Sequence, residues 1–402
     1  MLGEMYYMFK KILNHARENA ASIIEYRREI HKFAEIGFKT DKSVDFIIKK
    51  LENLNIKYKK CGLSGIVATI GTKGDSTVLL RADMDALPIK EESGLPFTSQ
   101  NENCHACGHD LHTAMLLGAA KILKENENAL NGTVKLMFQS AEETLEGCKN
   151  MIENGLLNDA QIDAAIMIHV LTGVNLKTGT VIVSSGGISA PSADFFEINI
   201  SGKSSHGSSP NKGIDALCTA AHIVINLQNI QTRELPSDHN SILTIGQLTS
   251  GKAANIIADS ATIKGTLRTF NEELKQFIIN RMAEISENTA KTFKANAEFK
   301  ITSSCPTLLN DSTVSKQIGK SLKNEYDKVL FSNELGGSIG GSEDFSYLTH
   351  KVPSLMLSLA AGNIDEGYQY PLHHPKVLFD ESVLPIGSAL YAYTAFKILN
   401  SI

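Results

Sequence analysis

The sequence predicts an α/β protein: a larger domain built on a mostly parallel central sheet flanked by helices, interrupted by a smaller α+β domain. Three observations predict it. Short apolar runs bounded by Gly and Asp alternate with helical patterns in the first half of the chain, as buried parallel strands do. Between about residues 191 and 304 the pattern becomes β-α-β-β-α-β, the split βαβ or ferredoxin-like arrangement. After Cys305 the first rhythm resumes. The expected domains are therefore 1–190 with 305–402, and an inserted 191–304.

In chain order, residues around 5–34 read as one helix and Asp41 to Leu54 as another. Gly65–Ile70 and Thr77–Leu80 read as buried strands, bounded by turn residues. His109 to Leu123 has helical apolar spacing. Thr133–Phe138 reads as a strand, Thr144 to Asn154 as a helix and Ile162–Val170 as a strand. In the inserted segment, Asp194–Ser201 alternates as a half-buried strand, with Phe196, Ile198 and Ile200 on one face. A helix over 214–230, strands near 241–248 and 261–269, a helix from Glu272 to about Thr292 and a strand over 297–302 follow. Ser354–Leu359 and Glu381–Leu399 read as a closing strand and helix.

With 402 residues the chain exceeds one ordinary core. A net charge of −5 provides no basic surplus for a phosphate backbone, which argues against nucleic acid as a partner. No apolar run reaches the ~18 residues that span a bilayer, and the Met1 to Lys11 stretch is too short and too charged for a secretory core. Six cysteines in this length suit a reduced, cytoplasmic protein better than a disulfide scaffold.

The chemistry concentrates in Asn103 to His112, which holds two cysteines, three histidines and an aspartate at the start of a helix. Thiolate and imidazole both suit zinc and its neighbours, and Gly108 permits a tight turn between Cys107 and His109. Cys104-His105-Ala106-Cys107 is also a C-x-x-C, so a dithiol redox protein using Cys104 and Cys107 is the competing reading. Glu142-Glu143 follows a strand end. Adjacent carboxylates repel unless a cation or a proton lies between them, although a solvated helix start would look the same. One Glu can bind metal while the other moves a proton. His169 ends another apolar strand, where open α/β sheets bind ligands. Asp85 follows the strand from Thr77 and can orient a ligand histidine through its second nitrogen. Pro371-Leu372-His373-His374-Pro375 is a loop too polar for core. No G-x-S-x-G elbow is present.

These motifs resemble the aminoacylase and hippurate-hydrolase branch of the di-metal amidohydrolase and carboxypeptidase superfamily. The resemblance runs in order from Arg28-Glu29-Ile30-His31 through Arg81-Ala82-Asp83-Met84-Asp85, His105-Ala106-Cys107-Gly108-His109-Asp110 and Ala141-Glu142-Glu143. It continues through His169, Ser205-His206, Asn255, Gly265-Thr266-Leu267-Arg268-Thr269 and Ser342-Glu343-Asp344-Phe345 to Leu372-His373. It implies that Cys107, His109, Glu143, His169 and His373 are metal ligands, Glu142 the general base and Asp85 the orienting carboxylate. His206 would reach the reacting carbonyl, often across a dimer interface, and Asn255 and Arg268 would contact substrate. It further implies two divalent metal ions per subunit (Zn, Mn, Co or Ni), a homodimer or homotetramer, and an inserted domain that serves as lid and dimerisation surface. Departures such as Ser140 in place of the usual Pro, and Gly207-Ser208-Ser209 after His206, remove no ligand.

The expected activity is hydrolysis of the amide bond of an N-acyl amino acid by a metal-bridged hydroxide, with Glu142 as base. Carboxypeptidase or dipeptidase action on a short peptide is the alternative on the same site. A purely metal-binding assembly protein would have no need of Glu142.

Overall fold

The computed structural model describes residues 8–71, 74–335 and 341–400. Within them the chain forms two compact units. The first is drawn from Met1–Ser189, Leu309–Ile339 and Asp344–Ile402, the second from Ala190–Leu308 and Gly340–Glu343.

The first unit opens with α1 (Met8–Glu18), α2 (Ala20–Phe33) and α3 (Asp41–Asn53). The single helix expected over 5–34 is thus two helices, its first three residues lying outside the described range. The break is at Asn19, whose side-chain amide donates to the His15 carbonyl at 2.9 Å while its own N–H turns back to Ala16 O. Such local side-chain bonding competes with helix continuation. Then follow β1 (Lys57–Cys61), β2 (Gly65–Ile70), β3 (Thr77–Asp83), α4 (His109–Glu125), β4 (Thr133–Gln139), α5 (Gly147–Glu153), β5 (Ala164–Leu171) and β6 (Val181–Val183).

The second unit holds β7 (Ser192–Ser201), α6 (Ala216–Asn229), β8 (Ser241–Ser250), β9 (Ser260–Thr269), α7 (Glu272–Thr292) and β10 (Asn296–Cys305). Its four-stranded antiparallel sheet runs β8-β9-β7-β10, the ferredoxin-like order expected from the pattern. Phe196, Ile198 and Ile200 are buried against α6 and α7 residues such as Ile223, Leu227, Ile278 and Met282.

The chain then completes the first unit with α8 (Ser312–Glu325), β11 (Val329–Phe331), β12 (Ser354–Ala360) and α9 (Leu384–Leu399). The eight-stranded sheet has the order β1-β2-β4-β3-β5-β12-β6-β11. The central pairs β4–β3, β3–β5 and β5–β12 are parallel, β1–β2, β2–β4 and β12–β6 are antiparallel, and the edge pair β6–β11 is parallel again. Every residue of β3 is buried, which is why Val78-Leu79-Leu80 reads as an apolar run rather than an alternation. Helices α4 and α9 are buried nearly all round, as expected of helices that are apolar on every face. Glu381–Leu399 is long and apolar enough to cross a membrane, but 83% of its most apolar window is buried inside the fold. The strands β3 and β5 and helix α4 converge where the motif residues lie.

Candidate metal centre

Gly108 starts the site. Its φ of +85° lies in the left-handed region, and a Cβ there would stand 2.5 Å from Val170 Cγ2. Only glycine fits, and the turn it makes sends Cys107 and His109 toward one space. All five expected ligands meet around that space, all of them in the first unit. Cys107 Sγ is 3.3 Å from His373 Nε2 and 3.6 Å from His169 Nε2. Glu143 Oε1 is 3.8 Å from both His109 Nε2 and His373 Nε2. Glu142 Oε2 is 4.0 Å from His109 Nε2. Two groups of three, Cys107 with His109 and His169 and Cys107 with Glu143 and His373, have ligand atoms close enough to share an ion.

The ring protons are set by neighbouring carbonyls. His109 Nδ1 donates to Asp85 O at 2.9 Å, and His169 Nδ1 donates to Val170 O at 2.7 Å. In its neutral form each ring then presents a bare Nε2 to the site, the form a metal needs. His109 Nε2 and Glu143 Oε1 are buried without hydrogen-bond partners, a costly state for polar atoms unless something fills the space between them. The donor set of thiolate, imidazole and carboxylate fits a divalent transition metal.

Charge gives the same picture. Burial, reinforced by Glu143, pushes the Cys107 thiol well above its ordinary range. Burial likewise pushes Glu143 up to about 7 and His169 down to about 3. His109 resists its burial because the Asp83 carboxylate favours its charged form, and its pKa lies well above the ordinary imidazole value. A cation in the cluster reverses this logic by favouring the thiolate, the carboxylate and the neutral rings.

Asp85 contacts His109 Nδ1 through its carbonyl oxygen. Its carboxylate is 3.6 Å from that nitrogen and instead accepts the backbone N–H groups of Glu142 at 3.0 Å and Glu143 at 3.2 Å. This explains why the helix expected from Thr144 begins only at Gly147. The Glu142 and Glu143 N–H groups point at Asp85, and Ala141 and Leu145 take left-handed conformations at φ 58° and 60°. His373 is also left-handed, at φ 65°, and its N–H is held by Ala106 O. Such strain on non-glycine residues gathers at functional sites.

His206, Asn255 and Arg268 lie in the second unit. His206 and Asn255 come together there: the short strands Ser205–His206 and Ile256–Ile257 pair, and Gly207 N–H donates to Asn255 O at 2.7 Å. Both side chains are exposed. Ser208 N–H donates to His206 Nδ1, which leaves Nε2 as the proton-bearing nitrogen of the neutral ring. Arg268, on β9, stacks over Phe195 at 5.5 Å and keeps a buried Nη1 without a partner.

Sequence reasoning gave no role to two buried groups beside the cluster. Asp83 Oδ1 pairs with His112 Nδ1 at 2.5 Å, and His112 Nε2 accepts Val170 N–H at 2.9 Å. The available signal was His112 standing three residues after His109, on the same helical face. Beneath α4, Arg27 Nε donates to Asp110 Oδ2 at 3.0 Å, and His31 bridges Asp110 and Glu91. Cys104 belongs to the apolar core, and burial raises its thiol pKa, opposite to the activation a redox dithiol requires.

Residues 79–397 match the family described as peptidase family M20/M25/M40. The chain is 33% identical over 385 residues to N-acetylcysteine deacetylase of Bacillus subtilis, covering 94% of this chain and 97% of that protein. It is 34% identical over 400 residues to thermostable carboxypeptidase 1 of Saccharolobus solfataricus, covering 98% and 99%. A crystal structure of a dinuclear metal-binding peptidase of the M20 family from Bacillus subtilis superposes with a TM-score of 0.78 at 30% identity, over 96% of this chain and 99% of that one. On this match and these relatives, the chain belongs to peptidase family M20/M25/M40 and is a metal-dependent amidohydrolase.

Proposed function

We propose that this protein hydrolyses the amide bond of N-acyl amino acids, with two divalent metal ions held by Cys107, His109, Glu143, His169 and His373. The observation that carries this reading is the adjacency of Glu142 and Glu143 on one turn anchored by Asp85. Neighbouring backbone positions give one carboxylate to the ligand cluster and leave the other beside it. When bound, divalent metals at such ligands lower the pKa of water and polarise a carbonyl oxygen. Glu142 takes the proton of the attacking water on its carboxylate and returns it to the leaving nitrogen. Asp85 keeps that carboxylate in reach. His206, with its proton on Nε2, donates to the carbonyl oxygen as negative charge builds there.

Arg268, with its unpartnered Nη1, and Asn255 contact the substrate, the guanidinium suiting a free carboxylate. The deacetylase relative supports the acyl-amino-acid reading, and the carboxypeptidase relative supports a second one, cleavage of a short peptide at its C-terminus. Residues 1–190 and 305–402 serve as the catalytic domain, and 191–304 as lid and dimerisation domain. The open edge of β8 with exposed Ile242 and Leu248, beside exposed Leu217 and Ile225 of α6, supports a dimer through that domain. Six free cysteines fit a cytoplasmic setting.

The test is a panel of N-acyl amino acids and dipeptides with the chelated protein reloaded with Zn²⁺, Mn²⁺, Co²⁺ or Ni²⁺ in turn. Acyl-amino-acid turnover restored by metal is expected. Turnover that survives complete metal removal contradicts the proposal, and preference for dipeptides selects the second reading.

A further inference from the structure

The β3–β5 ladder stops at Arg81 paired with Met167. Beyond that point β5 continues to His169 and Leu171, so its backbone loses the neighbour on that side. At Val170 a side chain replaces the missing rung: His112 Nε2 accepts the Val170 N–H at 2.9 Å. A backbone N–H is only a donor, so Nε2 is bare and the His112 proton sits on Nδ1. That proton goes to Asp83 Oδ1, and Asp83 is itself held by Arg81, whose Nη1 lies 2.6 Å from Oδ2. Thr113 Oγ1 closes the corner by donating to Asp83 O at 2.7 Å.

The ligand atoms of Asp83, His109 and His112 lie close enough for a metal ion. Hydrogen-bond accounting excludes His112 as a ligand, since both ring nitrogens are already engaged, one as donor and one as acceptor. What the ring does is hold two walls of the neighbouring cluster at a fixed spacing. It is anchored on α4 three residues from His109 and bonds the residue after His169. Its ring centroid is 5.4 Å from that of His109 and 4.7 Å from that of His169. Asp83, His109, His112 and Val170 are buried, and His169 is partly buried.

We propose that His112 is a positioning residue: by standing in for the absent β3 rung it fixes His169 against His109 and so sets the metal affinity of the Cys107–His109–His169 group. The inference rests on the ligand assignment proposed above. It distinguishes the two hydrogen bonds of the ring. Glutamine can carry an acceptor oxygen to the Nε2 position and keep Val170 bonded, whereas asparagine reaches only as far as Nδ1 and keeps only the bond to Asp83.

The experiment is Co²⁺ titration of the chelated full-length protein, read by the visible d–d and thiolate-to-metal bands, on wild type, His112→Gln and His112→Asn, with circular dichroism as the fold control. One of the two Co²⁺ equivalents should bind roughly 10–100-fold more weakly in His112→Asn, the usual loss when a partner behind a ligand is removed. His112→Gln should bind both equivalents nearly as wild type does. Wild-type affinity in His112→Asn, or equal losses in both variants, overturns the inference while leaving the ligand assignment standing. A wild-type protein that binds no Co²⁺ overturns both. If neither variant folds, imidazole ¹⁵N signals of the wild type decide: a protonated Nδ1 and a bare Nε2 on His112, before and after metal addition, are expected, and a protonated Nε2 refutes the rung.

Discussion

The carboxylate of Asp85 accepts the backbone N–H of Glu142 at 3.0 Å and that of Glu143 at 3.2 Å. One buried side chain thereby fixes two successive residues in a turn. The same residue's carbonyl oxygen sets the His109 tautomer. Asp85 thus links a strand end, His109 and the carboxylate pair.

Replacing Asp85 with Asn should preserve the fold and cost turnover. The amide can accept one of the two N–H groups but presents its own N–H₂ to the other. Displacing a catalytic group by about 1 Å can lower the rate on the order of 10²-fold. A fall in kcat with native circular dichroism is the expected outcome, and unchanged kcat would detach Asp85 from catalysis.

Glu142→Gln keeps the size and position of the side chain and removes the proton acceptor. Metal content should equal wild type, measured by elemental analysis. Turnover should fall by roughly 10²–10⁴-fold, the usual contribution of a positioned general base. Full activity would remove Glu142 from the mechanism.

The two cysteines of the C-x-x-C separate by substitution. Cys107→Ser should lose bound metal and activity together. Cys104→Ser should keep both and lose about 1–3 kcal/mol of stability, because a hydroxyl replaces a thiol in an apolar core. Loss of activity in Cys104→Ser with metal retained would favour the dithiol reading.

Gly108→Ala should destabilise the protein even though alanine is small. The left-handed backbone alone costs about 1–2 kcal/mol, and the contact with Val170 Cγ2 adds to it. Urea unfolding should show the loss, with reduced metal affinity beside it.

Stability should fall from neutral to alkaline pH through His31. Burial disfavours its charge, but Asp110 and Glu91 overcome this and raise its pKa to about 9 from 6.5. A raised imidazole pKa means the folded state holds the proton more tightly than the unfolded chain. The contribution is complete below about pH 6.5 and is lost as pH rises through about 9, an upper bound of ~3 kcal/mol. Urea unfolding of the chelated protein between pH 6 and 9.5 should show this slope, and His31→Asn should flatten it. Equal slopes in both proteins would assign the effect elsewhere.

Much of the molecule was legible in the sequence because the signals are local. The apolar run Val78–Leu80 of β3, the alternation of β7 and the periodicity of α4 each follow from burial on two faces, one face or all round. The short strands β6 and β11, with three residues each, carry too few residues for a period to register. The break at Asn19 depends on one side-chain amide turning back on a carbonyl. The grouping of the expected ligands was visible as residue types at strand ends, since only a few chemistries use Cys, His and paired Glu together.

What the sequence by itself determined is the chemical inventory: the cysteine, histidine and paired glutamate types at strand ends, the glycine between Cys107 and His109, the βαββαβ insertion and the alternation of the larger unit. What only the tertiary structure decided is who holds whom. Asp85 acts on His109 through its carbonyl and on Glu142 and Glu143 through its carboxylate, His112 replaces a rung that β3 does not supply, and Cys104 faces core while Cys107 faces the cluster. These assignments join residues tens of positions apart. They depend on distances of a few tenths of an ångström and on which atom of a side chain is already bonded, and neither quantity has a period or a motif that a linear chain can display.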